Sequence, residues 1–366
     1  MKNEMNMNKK TIITVLLALV EMTGQAQVHY RLEGYIGNTE ISDRMEVRDN
    51  FNNVLIDSIH VVNGKIEPIE GTIPDYAVCY LCGGSRPPIY PVFLGGGTTR
   101  IENVSSIHPL LSGTPLCEDY TKFQSAVQQA NRELMMRKLR SGQTKFTVKL
   151  DAEASQQISD VAKDIITRHH SDVLGYYLLR EGAINYIQPT EWLSLAERMV
   201  PWLKKNPKLF DDYSKNCKPL QEAASSTSVG CKFVDIEADV DGKTFKLSDY
   251  VGRGNYVVMN FWGTTCPPCI TELPVLKQIH QQYASHGLTV LGIPVNEDAE
   301  KSRQAIDKYQ LSYPQLLNTQ DKAAKAYGFV TIPETILFAP DGTILVRGLS
   351  MDELKAKLEE IFPDNK

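Results

Sequence analysis

The sequence predicts an α/β domain at its C-terminal end, preceded by an antiparallel β domain and a helical middle segment. Three observations carry this reading. Residues 27 to about 110 break into short β-branched or aromatic runs punctuated by Gly, Asn and Pro. Residues 112 to about 225 switch to helical periodicity. From about 230, continuous apolar runs alternate with helical stretches, as in a sheet buried on both faces.

The chain has 366 residues, enough for two or three domains. It opens MKNEMNMNKKTIITVLLALVEMTGQAQ. Lys2, Lys9 and Lys10 precede a short apolar run, and Gly24 and Ala26 offer small residues for cleavage. Residues 1–26 therefore read as a secretory signal peptide, because the apolar run is well short of the ~20 residues a membrane span needs. Export to the periplasm follows; left uncleaved, the same segment would be a membrane anchor. The net charge of −5 gives no electrostatic footprint for nucleic acid or an anionic membrane. No glycine-rich phosphate-binding motif appears.

Residues 27–111 form the expected β domain. Asn63-Gly64 marks a tight hairpin, since a type I′ turn needs positive φ at both centres. Residues 112–227 follow as helices and linker. Thr114 and Pro115 start the first helix, Thr190 caps the one over TEWLSLAERMVPWLKK, and AASSTSVG is the linker. Residues 228–366 form the last domain. YVVMNFW and LTVLGIPV are its buried strands; TILFA and ILVRG form a hairpin at Asp341-Gly342, and Ser350 caps a final amphipathic helix. His169-His170 reads as a solvated helix end rather than a metal site, and Asn103-Val104-Ser105 fits a glycosylation triplet.

Seven cysteines are present. Cys217 and Cys231 flank the linker and are expected as free thiols, a clamping disulfide being the alternative. Cys266 and Cys269, in NFWGTTCPPCITELP, fall where a buried strand hands over to a helix. Metal clip, structural staple and reactive dithiol are the candidate readings. A zinc site wants about four ligands, and the other close pair, Cys79 and Cys82, sits in a strand where i and i+3 face opposite ways. A staple would lock only a short loop. At a helix start, free backbone N–H groups and the helix dipole stabilise a thiolate at Cys266, the expected nucleophile. Cys269, one turn further in, is the expected resolving thiol. Glu272 borders the same inward face, where a half-buried carboxylate could take a proton from Cys269, a solvated helix Glu being the alternative. Pro333, entering a strand at its margin, reads as a candidate cis-proline; a trans-proline in an ordinary loop is the alternative, and the one that composition alone favours. Peroxidase chemistry usually needs Thr three residues before the cysteine, where Gly263 stands.

Asn260-Phe-Trp-Gly-Thr-Thr-Cys-Pro-Pro-Cys, Glu272-Leu-Pro, Ile332-Pro333 and Asp341-Gly342, in that order, resemble the thioredoxin-like fold. Within it, residues 230–366 are most similar to the exported TlpA/ResA-like thiol–disulfide oxidoreductases. The front half is similar to a β domain that precedes such domains in some Gram-negative bacteria. The resemblance implies Cys266 and Cys269 as the redox-active pair, Glu272 as the acidic residue near them, and Pro333 as a cis-proline facing the disulfide. It also implies docking of substrate around Trp262, Thr265, Ile332 and Glu334. Protein disulfides are the implied substrates and a membrane thiol carrier the implied electron source; no cofactor and no metal are expected. Three positions depart from the pattern. Asn260 stands for a buried Asp, Thr265 for Trp, and Glu334 for Thr. Glu272 and Glu334 together are expected to weaken the thiolate and favour a reductant. The competing functions are a disulfide oxidase or isomerase and a non-catalytic envelope binding module on a thioredoxin-like scaffold.

Overall fold

The computed structural model describes residues 27–37, 44–83, 88–103, 109–140, 150 and 152–363. The expected signal peptide, and Val104 and Ser105 of the glycosylation triplet, lie outside these. Packing divides the chain into two compact units, residues up to Gln129 with Gln157–Gly182, and Ala130–Gln156 with Ala183 onward. The helices between the β domain and the last domain are thus shared between the units.

In the first unit the described strands form one sheet, ordered β6-β5-β2-β3-β4-β1-β7-β8. They are β1 (Val28–Tyr35), β2 (Arg44–Asp49), β3 (Leu55–Val62), β4 (Lys65–Ile73), β5 (Ala77–Cys82), β6 (Ile89–Leu94), β7 (Gly97–Asn103) and β8 (Leu110–Ser112). Asn63 and Gly64 both take positive φ, 51° and 77°, and join β3 to β4 as expected. The expectation of a wholly antiparallel sheet is corrected at one pair: β1 and β7 run parallel, Tyr30 opposite Gly97. Only strands joined by a short turn must be antiparallel, and β7 returns to β1 after five intervening strands. At Gly34 (φ +138°) a Cβ would stand 2.2 Å from the Ile101 carbonyl oxygen, so this crossing requires glycine.

Helix α1 (Pro115–Arg140) starts as expected, Thr114 Oγ1 accepting from the Cys117 N–H at 3.3 Å. Helices α2 (Ala152–Arg168) and α3 (Val173–Tyr177) follow. His169 is not a solvated helix end. It is 9% exposed, with Nε2 2.9 Å from Asp119 Oδ2 and Nδ1 2.6 Å from Asp172 Oδ2. Arg168 and Lys122 also reach Asp119. His170 is exposed, and among the described residues no cluster of His, Cys, Asp or Glu is placed to hold a metal. Burial opposes protonation of His169, but the hydrogen bonds to Asp172 and Asp119 outweigh it and raise its pKa. A raised folded-state pKa gives stability that is whole below the unfolded value, about 6.5, and lost as pH rises through the folded value. Thermal midpoints are therefore expected to fall as pH rises from about 6.5, and His169→Gln to flatten that dependence. An unchanged pH profile in the variant would contradict this role.

The second unit holds α4 (Pro189–Leu203), α5 (Pro207–Asp212) and α6 (Lys218–Ser226). The cap of α4 is Gln188, not Thr190: Pro189 takes the first helical position, where its missing N–H costs nothing. The expected linker is also corrected. Ala223 to Ser226 complete α6, because alanine favours helix. Helix α6 packs against Gly328 (φ +61°), where a Cβ would lie 2.2 Å from both Ala224 N and the Leu220 carbonyl oxygen. Gly328→Ala is therefore expected to cost about 1–3 kcal/mol, read as a lowered midpoint in chemical denaturation. A neutral substitution would mean that α6 does not dock there.

A hairpin of β9 (Glu237–Val240) and β10 (Lys243–Lys246) turns at Asp241-Gly242, a signal the sequence reading passed over. The last sheet is ordered β12-β11-β13-β14: Leu288–Pro294, Tyr256–Trp262, Glu334–Phe338 and Ile344–Arg347. Strand β12 is parallel to β11, and β13 is antiparallel to it. Strand alternation sorts the core. Val257, Met259, Phe261, Ile336 and Phe338 share one face with Leu316 and Tyr327. Val258, Trp262 and Leu337 share the other with α7 (Pro267–Tyr283) and α10 (Met351–Ile361). Helices α8 (Ala299–Tyr309) and α9 (Lys322–Tyr327) complete the unit.

Candidate active site

Strand β11 ends at Trp262 and passes into a turn closed by the Cys266 N–H, which donates to the Gly263 carbonyl at 3.2 Å. Helix α7 begins immediately after, with Cys266 as its N-cap and prolines in its first turn. Those positions have no helical acceptor for an N–H, so Pro267 and Pro268 start the helix without weakening it.

Cys266 and Cys269 form a disulfide, Cα atoms 5.3 Å apart. Cys266 is half-buried and Cys269 is 1% exposed. The Cys269 backbone N–H donates to Cys266 Sγ at 3.2 Å, and this sulfur lies 3.6 Å from the Ile332 carbonyl oxygen. The Ile332–Pro333 peptide is cis. Gly263 faces the same loop: a Cβ there would stand 3.1 Å from Ile332 Cδ1. A larger residue, such as the threonine of peroxidase sites, would push against Ile332. The site thus offers one sulfur to solvent at the positive end of a helix, with an N–H already aimed at it, and a second sulfur beneath.

The other candidates separate. Thr265 is exposed beside Cys266, and Ile332 is half-buried. Glu272 follows Cys269 by one helical turn, half-buried, with Oε2 shielded from solvent. Asn260 is 1% exposed and donates through Nδ2 to Thr335 Oγ1 at 3.0 Å. Two docking expectations are corrected. Trp262 is fully buried, its Nε1 donating to Gln315 Oε1 at 3.1 Å, because β11 is covered on both faces. Glu334 alternates with Thr335 and so lies on the sheet face away from α7. Its Oε1 accepts from Arg347 Nε at 2.9 Å, and the two side chains are 14% and 16% exposed. It is a compensated charge and does not act on Cys266 as a bare carboxylate.

Among the described cysteines outside this pair, Cys79, Cys82, Cys117, Cys217 and Cys231 form no disulfide. Burial pushes the Cys79 and Cys117 thiols up, away from reactivity.

The AhpC/TSA family matches residues 229–347. The thiol-disulfide oxidoreductase ResA of Geobacillus thermodenitrificans is 30% identical over 143 residues, which cover 38% of this chain and 81% of that protein. The chain belongs to the ResA-like thiol–disulfide oxidoreductases. A second ResA, from Oceanobacillus iheyensis, is 31% identical over 131 residues, covering 35% of this chain and 67% of its own length. The thioredoxin domain of a thiol-disulfide oxidoreductase from Bacteroides vulgatus is 27% identical, with a TM-score of 0.34, covering 37% of this chain and 97% of that one. The ResA-like region is the thioredoxin-like C-terminal part. In this ResA-like chain the sequence reading missed Glu297, which reaches back to the turn before Cys266. Its place follows from the strand order, since β12 delivers it beside the end of β11, and no local motif announces it.

Proposed function

We propose that this ResA-like chain is an exported reductase of protein disulfides, working through Cys266 and Cys269. The Cys266 thiolate attacks a substrate disulfide, forming a mixed disulfide and releasing one substrate thiolate. The Cys269 thiolate then attacks Cys266 Sγ, which frees the second substrate thiol and leaves the intramolecular disulfide. Two electrons pass to the substrate, and a thiol donor at the membrane restores the dithiol. The observation that carries the reading is the asymmetry of the pair: Cys266 is reachable and N-capped, and Cys269 is buried beneath it. Glu272 serves as proton acceptor for Cys269, a role its position one turn along α7 supports. Thr265 and Ile332, with cis-Pro333, offer the docking surface.

The reducing direction rests on Glu272 alone now that Glu334 is paired. Residues 228–366 are the catalytic domain in this reading, 27–111 and 112–227 its β and helical neighbours, and 1–26 the export signal. Among the described residues no helix is long and apolar enough to cross a membrane. Equilibration of the pair with glutathione tests the direction. A reducing potential, in the range of thioredoxin at about −270 mV, is expected; a value near about −120 mV would make the protein an oxidant.

A further inference from the structure

Glu297 is tied directly to the turn that carries Cys266. Its Oε2 accepts from the Thr264 N–H at 3.0 Å and from the Thr264 hydroxyl at 2.6 Å. Its Oε1 accepts from Ser302 Oγ at 2.8 Å, a residue of α8 that is 1% exposed. The segment bearing Glu297 is itself fastened. The Val295 N–H donates to the Trp262 carbonyl at 3.0 Å, and Gln320 Nε2 donates to the Glu297 carbonyl at 3.1 Å. Asp298 caps α8 through the Lys301 N–H at 2.9 Å.

We propose that Glu297 is a positioning residue for thiol exchange, holding the Gly263–Cys266 turn so that the Cys266 sulfur stays at the N-cap of α7. The proposal rests on Cys266 being the attacking thiol. In the disulfide, Cys269 tethers Cys266 covalently. In the dithiol that tether is gone, and the place of the sulfur relative to the Cys269 N–H depends on the turn. A carboxylate that accepts two hydrogen bonds from one residue fixes that turn more firmly than a neutral acceptor would. The effect therefore falls on the reduced protein, where the thiolate forms and attacks. Glu297 touches neither sulfur, and its influence passes through Thr264.

The test is the pH dependence of iodoacetamide alkylation in the reduced full chain, with the modified cysteine identified by peptide mass. Glu297→Ala is expected to raise the midpoint by about one pH unit, roughly tenfold less thiolate at any pH below it. Glu297→Gln, whose amide can still accept from Thr264 and donate to Ser302 but holds the turn less firmly than the carboxylate, is expected to recover most of that shift. If both variants lowered the midpoint, Glu297 would act only as a nearby charge, and the proposal would be overturned. It would equally be overturned if neither moved the midpoint while thermal stability fell. Should Glu297→Ala not fold, Thr264→Val, which removes one of the two bonds, is expected to lower the thiolate fraction about threefold; no change would contradict the proposal. Alkylation at a cysteine other than Cys266 in the unsubstituted protein would overturn the underlying reading, and the proposal with it.

Discussion

Cys266→Ser is expected to slow reduction of a protein disulfide by at least about a thousandfold, because a serine hydroxyl supplies no thiolate to attack sulfur. The loss belongs to chemistry rather than folding. Cys266 is half-buried at the helix N-cap, and serine is itself a good N-cap whose oxygen can accept from the Cys269 N–H. The melting temperature of the reduced protein should therefore hold while turnover disappears. An insulin-reduction assay reads the rate directly. Turnover within tenfold of the unsubstituted protein would remove Cys266 from the mechanism and return the non-catalytic binding reading to consideration.

Arg347→Met is expected to destabilise the C-terminal unit by about 3–5 kcal/mol, because it strands the Glu334 carboxylate in a site that is 14% exposed. Arg347 does more than neutralise that charge. It donates through Nη2 to the Tyr327 carbonyl at 2.6 Å and through Nη1 to Thr227 Oγ1 at 2.9 Å, fastening the end of α6 to the sheet. Glu334 immediately follows cis-Pro333, so the pair also braces the loop that faces the Cys266–Cys269 disulfide. Adding Glu334→Gln to Arg347→Met is expected to recover part of the loss, since the buried charge goes with its partner. Urea denaturation of the two variants checks both statements. Equal destabilisation of single and double variants would show that Arg347 acts through its carbonyl contacts and not through Glu334.

The parts of this molecule legible in its sequence are those specified by neighbouring residues. The apolar run of β11, the Pro-Pro start of α7, and the Asn63-Gly64 and Asp341-Gly342 turns each encode their geometry within a few positions. The apolar run before them and the helix after them suffice to place Cys266 and Cys269 at a strand-to-helix junction. What escaped depends on partners far along the chain. The burial of His169 is decided by Asp119, 50 residues earlier. Glu334 is neutralised by Arg347 on the next strand, although the alternation Glu334, Ile336, Phe338 already pointed it away from α7. Trp262 ends a strand covered on both faces, and a YVVMNFW strand buried on both faces leaves it no docking role. The AASS end of helix α6 resembles a linker in composition, because its residues are small, while its packing against Gly328 is tertiary. Glu297 belongs to the same class.

In the proposed cycle Cys266 attacks and Cys269 resolves. Cys269→Ser removes the second step and leaves the first, so incubation of the reduced variant with an oxidised protein substrate should accumulate a mixed disulfide. Mass mapping of that adduct is predicted to place the substrate on Cys266. An adduct on Cys82 or Cys231, or none at all under conditions in which the unsubstituted protein turns over, would contradict the account.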